Sequence, residues 1–209
     1  MTSALEQACT ALEAGVQSLV AALALRRKEG EPLRVLLASP RHGDGTSLVA
    51  MATAVALCRT LGPRVALVEA NVFRPSLGRR AGVRGPQGFA ECLSPEAGAS
   101  TLHGSFLPGL ELLPAGQSAP TLAHWGGTGV RRLFADELRS FSFVIVDAPP
   151  LLDRPVGRLL LPSCDVAALV IRAGSTTRAD ARAATGVLHD SGVATLGAIA
   201  NRVRLSPVL

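Results

Sequence analysis

Residues 39–57, SPRHGDGTSLVAMATAVAL, bring two glycines, an acidic residue and two hydroxyl side chains together just ahead of an alanine-rich helical run. Glycine admits backbone conformations that let a ligand approach main-chain N–H groups, and N–H groups at a helix start attract anions. The combination suits the cradling of phosphate: Gly43 and Gly45 allow the close approach, Ser47 offers a hydroxyl that reaches Mg²⁺, and Asp44 is the acidic residue of the turn. Such turns ordinarily carry a lysine just before that serine. Here Thr46 stands there, and Lys28 is the only lysine of the chain. A plainer reading stays open beside this one, in which the glycines keep a turn that the fold needs and Ser47 is an ordinary first-turn residue.

The turn has to be positioned by elements on either side, and the hydrophobic pattern supplies them. Short β-branched or leucine-rich runs at 34–39, 64–70, 110–115, 143–148, 166–173 and 195–201 read as buried strands. Helices are predicted at 3–26, 47–61, 121–139 and 176–191, with a shorter one at 155–162. This alternation predicts an α/β fold: a mainly parallel sheet with helices on both faces. The phosphate-type turn then follows the first strand and opens the next helix. Residues 1–209 read as a single domain, with 1–32 as N-terminal helix and lead-in and 33–203 as core. The Gly-, Pro- and Ser-rich stretch from Gly82 to Pro120 reads as an insertion of loops and short helices.

Composition narrows the function classes. With 48% apolar residues, 209 residues can fill one ordinary core. The longest apolar stretch, 14–25, contains Gln17, is short for a membrane span and has its basic cluster behind it, so neither a spanning helix nor a signal peptide is expected. Cys9, Cys58, Cys92 and Cys164 lack metal-ligand spacing and read as buried reduced thiols, which suits the cytoplasm. A net charge of +5 permits anionic partners, but the arginines are spread out and aromatics make up only 3%, so no dedicated nucleic-acid binding is expected. Arg79, Arg80 and Arg84 read as a solvated face or as a patch for an acidic partner, and Trp125 and Phe134 as core.

The segments SPRHGDGTS, VALVEANVFRPSLG and FSFVIVDAPPLL together resemble the three nucleotide motifs of the bacterial tyrosine kinases of polysaccharide assembly, which belong to the deviant Walker A class of P-loop ATPases. The likeness continues through GLELLPAG, VIRAGSTTRADARAA and LGAIANRV and spans about residues 33–203. It implies that the family's P-G-E-G-K-S falls on His42, Gly43, Asp44, Gly45, Thr46 and Ser47. The family's D-x-D-x-x-R-P, whose carboxylates manage the metal and activate the acceptor, falls on Glu69, Asn71, Arg74 and Pro75. The resemblance further implies that Asp147 holds the metal's water shell and that Asn201 reads the adenine edge. ATP or ADP with Mg²⁺ is therefore the expected ligand, weakly bound, with Gly43, Asp44, Gly45, Thr46, Ser47 and Asn201 around the nucleotide and Ser47 and Asp147 at the metal.

The departures bear on chemistry. Loss of one preorganised donor to a transferring phosphoryl group costs about 3–4 kcal/mol. Glu69 retains charge but reaches further than aspartate, and Asn71 retains shape without charge, so it neither acts as a base nor holds Mg²⁺ strongly. Arg41 is the only basic side chain in the loop available to replace the lysine. The family's assembly motif, E-x-x-R-x-x-R, falls on Gln7, Thr10 and Glu13, without either arginine. Its kinases usually carry a tyrosine-rich tail, whereas these residues contain no tyrosine. The resulting expectation is a non-catalytic cytoplasmic regulator of exopolysaccharide or capsule polymerisation and export. It would sit at the inner face of the membrane through a two-helix polysaccharide co-polymerase, and an active kinase homologue is a further partner. Two alternatives remain: a residual ATPase or tyrosine kinase acting on another protein, and a positioning ATPase of the partitioning or cell-division type.

Overall fold

A computed structural model of the chain describes residues 4–62, 64–83, 87–94 and 102–203, with side chains from residue 12 onward. Its sheet consists of β1 (Leu33–Ala38), β2 (Val65–Glu69), β3 (His103–Gly104), β4 (Leu110–Leu113), β5 (Phe143–Asp147), β6 (Val166–Arg172) and β7 (Ala194–Asn201). The helices are α1 (Ala4–Ala24), α2 (Thr46–Leu61), α3 (Leu77–Arg80), α4 (Phe89–Cys92), α5 (Leu122–Trp125), α6 (Thr128–Arg132) and α7 (Arg178–Asp190). Strand order across the sheet is β3-β4-β2-β5-β1-β6-β7. Every pairing is parallel except that of the two-residue β3 with β4.

The central strands are apolar without alternation because both of their faces are covered. Val35, Leu37, Leu67 and Ile145 point into one buried cluster with α1 and α2. Leu36, Val68, Val144 and Val146 point into the other, with Phe89, Trp125, Leu133, Phe134 and Leu160. The register sets Leu37 beside Asp147 and Glu69 beside Asp147, so the ends of β1, β2 and β5 meet at one edge. Ligands of open parallel sheets sit at such carboxyl ends.

Helix α1 presents Val16, Leu19, Val20 and Leu23 at helical spacing to α2, and all four are buried. Helix α2 is apolar nearly all round because it is sandwiched between α1 and the sheet. It ends where Gly62 adopts a left-handed conformation (φ 68°) and donates its N–H to the Cys58 carbonyl.

The helix expected over 121–139 is broken into α5, α6 and a π-helical turn at Leu133–Glu137. Gly126 and Gly127, with their weak helix propensity, separate the first two pieces. Segment 155–162 forms a 3₁₀ helix, Pro155–Ser163, in keeping with prolines at both ends of it. Trp125 and Phe134 are core residues, as expected. Cys58 and Cys92 are buried free thiols, and burial pushes them up to about 11 and about 12, respectively. Cys164 is a half-buried free thiol, and the Cys9 side chain lies outside the described residues.

Because Leu23 is fully buried between α1 and α2, Leu23→Ala should lower unfolding free energy by about 2–5 kcal/mol in urea titration. A change below about 0.5 kcal/mol, the range of ordinary surface substitutions, would show that α1 is not part of the cooperative core.

Candidate functional site

Residues 39–45 leave the end of β1 and enter α2 through two left-handed glycines, Gly43 (φ 97°) and Gly45 (φ 92°). A side chain at either position would be strained. The helix ladder begins only when the Leu48 and Val49 N–H groups reach the Gly45 carbonyl. None of the N–H groups of Gly43, Asp44, Gly45, Thr46 and Ser47 donates to a protein acceptor among the described residues. The turn is thus an open anion cradle at the start of a 16-residue helix rather than a loop closed on itself.

Two devices hold it open. Arg41 donates through Nη1 to Asp153 (2.9 Å) and through Nε to Asp180 (3.0 Å), with Nη2 2.9 Å from the same Asp180 oxygen. The second Asp153 oxygen accepts the His42 N–H at 2.8 Å. Asp180 lies in the first turn of α7, where its N–H is capped by Thr177. The Arg41 hydrogen bond holds Asp180 below the ordinary carboxylate range, and Asp180 in turn raises Arg41. Arg41 therefore ties the loop to α7 and to the segment after β5.

On the opposite flank, Asn201 Nδ2 donates to the Asp44 carbonyl (2.8 Å) and Oδ1 accepts the Arg202 N–H (2.9 Å). A Cβ on Gly45 would lie 2.1 Å from the Asn201 amide, so that glycine is needed for contact as well as for backbone angle. Asn201 braces the loop, with both ends of its amide engaged there.

The acidic positions divide sharply. Glu69 is buried and accepts the N–H groups of Ser76, Leu77, Gly78 and Ala115. Its carboxylate anchors the start of α3 and the segment after β4, at the position where the resemblance implies a catalytic carboxylate. Asp147 is also buried, but neither of its oxygens has a hydrogen-bond partner. Burial raises its pKa to about 7, with the Glu69 charge adding to the rise and the neighbouring Ser47 hydroxyl opposing it without completing a hydrogen bond. Asn71 Oδ1 and Asp44 Oδ2 are likewise buried and unpartnered. Unsatisfied buried polar atoms are costly, and four of the seven among the described residues lie at the cradle.

The cradle opens into a groove of about 1220 Å³. Its walls include Thr46, Ser47 and Asn71 and the guanidinium-bearing Arg74, Arg79, Arg80 and Arg202, with no aspartate or glutamate among the described residues. A smaller hollow of about 220 Å³ adjoins it at His42, Asn71, Phe73, Arg74 and Arg154. Phe73 stacks on Trp125 (centroids 6.0 Å apart) and lies under the Arg154 guanidinium (4.6 Å), which fixes the segment carrying Asn71 and Arg74. Sequence reading passed over Arg202 and left Arg79 and Arg80 as a solvated face or patch. The signal available was their spacing after the FRP segment, but only folding brings position 202 alongside.

No protein-family model matches the chain, nor does any curated protein. Solved structures do. The VpsO kinase domain superposes with a TM-score of 0.81 at 24% identity, covering 94% of this chain and 96% of that one. The fold is the P-loop ATPase fold of bacterial tyrosine-kinase domains. The kinase domain of Escherichia coli tyrosine kinase ETK follows with a TM-score of 0.78, 20% identity, and 93% and 77% of the two chains. MinD of Pyrococcus horikoshii, a septum site-determining protein solved with Mg-ADP, superposes with a TM-score of 0.70 at 21% identity, over 84% and 72% of the two chains. These likenesses establish the parallel-sheet architecture.

Phosphate fits the residues present, because five adjacent N–H groups await an anion. A divalent cation fits less well: Ser47 and Asp147 remain, Asn71 is neutral and Glu69 is bound to backbone. Bound Mg²⁺ would supply charge neutralisation at the phosphates, and Ser47 and Asp147 are the residues that would hold it.

The raised pKa of Asp147 has a thermodynamic consequence. Between the ordinary value of 3.8 and about 7 the folded state binds the extra proton, so this group's contribution to stability is greatest at low pH and is lost as pH rises through 7. Asp147→Asn should therefore stabilise the protein at pH 8 by up to ~4 kcal/mol and by much less at pH 5, as read from denaturation midpoints. Equal shifts at both pH values would rule out a buried carboxylate titrating near neutrality.

Proposed function

We propose that this chain is a non-catalytic cytoplasmic regulator of exopolysaccharide or capsule polymerisation and export, built on the tyrosine-kinase fold. It would dock on the cytoplasmic end of a membrane polysaccharide co-polymerase. The observation that carries the reading is the pairing of Thr46 with an already engaged Arg41: no cation of the loop itself is left to follow charge onto a departing phosphoryl group. The phosphate-turn geometry survives while the groups that would use it chemically are replaced or diverted, Glu69 into backbone anchoring and Asn71 into a neutral amide. Loss of the lysine alone costs about 10²–10³ in rate, and the remaining changes act on the same transition state.

Further support comes from the acceptor and assembly sides. The 209 residues contain no tyrosine to receive phosphate. At the assembly-motif positions, Glu13 stands where an arginine is usual and pairs with Arg59 of α2. The Gln7 and Thr10 side chains lie outside the described residues. Among the described residues no helix is long and apolar enough to cross a membrane. One observation favours a second reading: the likeness to MinD extends over 84% of the chain, which keeps a positioning ATPase in view.

Purified protein incubated with Mg·ATP and the membrane partner should release phosphate no faster than Asp147→Asn and should leave no phosphotyrosine on either component. Phosphate release clearly above that variant would overturn the non-catalytic assignment. Equal retention on liposomes with and without the co-polymerase would favour the positioning reading instead.

A further inference from the structure

We propose that the groove binds the phosphate chain of a nucleoside di- or triphosphate without a metal ion, with Arg79 and Arg80 of α3, aided by Arg74 and Arg202, supplying the charge that a loop lysine and Mg²⁺ would otherwise provide. The inference deepens the functional reading above, resting on its nucleotide site while requiring no turnover.

Three observations carry it. Among the described residues the groove wall holds four arginines and no carboxylate, so positive charge predominates along it. None of these four guanidinium groups has an ion pair or hydrogen-bond partner among the described residues, whereas Arg34, Arg41, Arg59, Arg64 and Arg132 each pair with an aspartate or glutamate. The groove is positive and the metal side is depleted, because Asn71, with its unpartnered Oδ1, lines the wall in place of a carboxylate and Glu69 is saturated by four backbone donors. A divalent ion brought with the nucleotide would meet four guanidinium charges and little anionic protein. Guanidinium forks bind phosphate oxygens directly and bidentately, so they supply phosphate-neutralising charge without needing a metal to bridge it.

Calorimetry of ADP with the full chain, once in Mg²⁺ and once in EDTA, tests the idea, with inorganic pyrophosphate as competitor. Trp125 is the only tryptophan and stacks on Phe73 between Asn71 and Arg74, so intrinsic fluorescence gives a second readout. ADP should bind in EDTA within about threefold of its affinity in Mg²⁺, and pyrophosphate should displace it. The double variant Arg79→Ala/Arg80→Ala should bind about tenfold or more weakly, the lower end for losing charge-assisted contacts. Arg139→Ala, which removes an exposed arginine away from the groove, should leave affinity unchanged, and a thermal melt confirms that each variant is folded.

Binding that requires Mg²⁺, a double variant that binds like the parent, pyrophosphate that fails to compete, or no binding of either probe would each overturn the proposal. Those failures leave docking on the co-polymerase standing, since that is read without nucleotide. Phosphate release above the Asp147→Asn level would instead defeat the non-catalytic reading and leave the arginine rim in place.

Discussion

Two carboxylates on different elements, Asp153 after β5 and Asp180 in α7, hold Arg41, and the open turn behind it depends on that grip. Each ion pair is exposed and by itself worth little. Their effect is geometric: together with the His42 N–H on Asp153 and the Asn201 amide on the Asp44 carbonyl, they fasten both flanks of a loop whose own N–H groups stay unpaired. Without such fastening, five unsatisfied donors would favour collapse of the loop onto nearby carbonyls. The fold thus keeps a phosphate cradle ready while using its one loop cation to do so.

The same diversion explains the acidic positions. An aspartate at position 69 would end one methylene short of glutamate. The longer side chain gathers the N–H groups of Ser76, Leu77, Gly78 and Ala115, which makes it a structural brace of the α3 turn. Asp147, next to it in register, keeps its place at the end of β5 but is left without partners, and burial favours its protonated form up to neutral pH. One carboxylate, Glu69, is taken up in bracing the fold, while Asp147 on the neighbouring strand stays without a partner among the described residues.

Much of the architecture was legible in the sequence because buried parallel strands are continuous apolar runs. β1, β2, β5, β6 and β7 lie within a residue or two of the segments read from pattern alone. The broken helix over 121–139 was not, since its apolar period continues across Gly126 and Gly127 while the backbone does not. The antiparallel β3 escaped for a different reason: two residues carry no period, and their pairing with β4 is made by tertiary contact. At the site, the cradle could be read from glycine spacing after a strand. Neither the engagement of Arg41 by residues more than a hundred positions away nor the sharing of one groove by Arg79, Arg80 and Arg202 has any local signature.

The central claim is that the cradle still holds a nucleotide while the chemistry is gone, and phosphorus NMR of ATP mixed with the protein at equal concentration, followed over a day, reads both halves at once. The account predicts that the β- and γ-phosphate resonances shift or broaden on binding and then persist without ADP or inorganic phosphate accumulating. Resonances identical to those of ATP alone, or steady conversion to ADP beyond a protein-free sample, would contradict it.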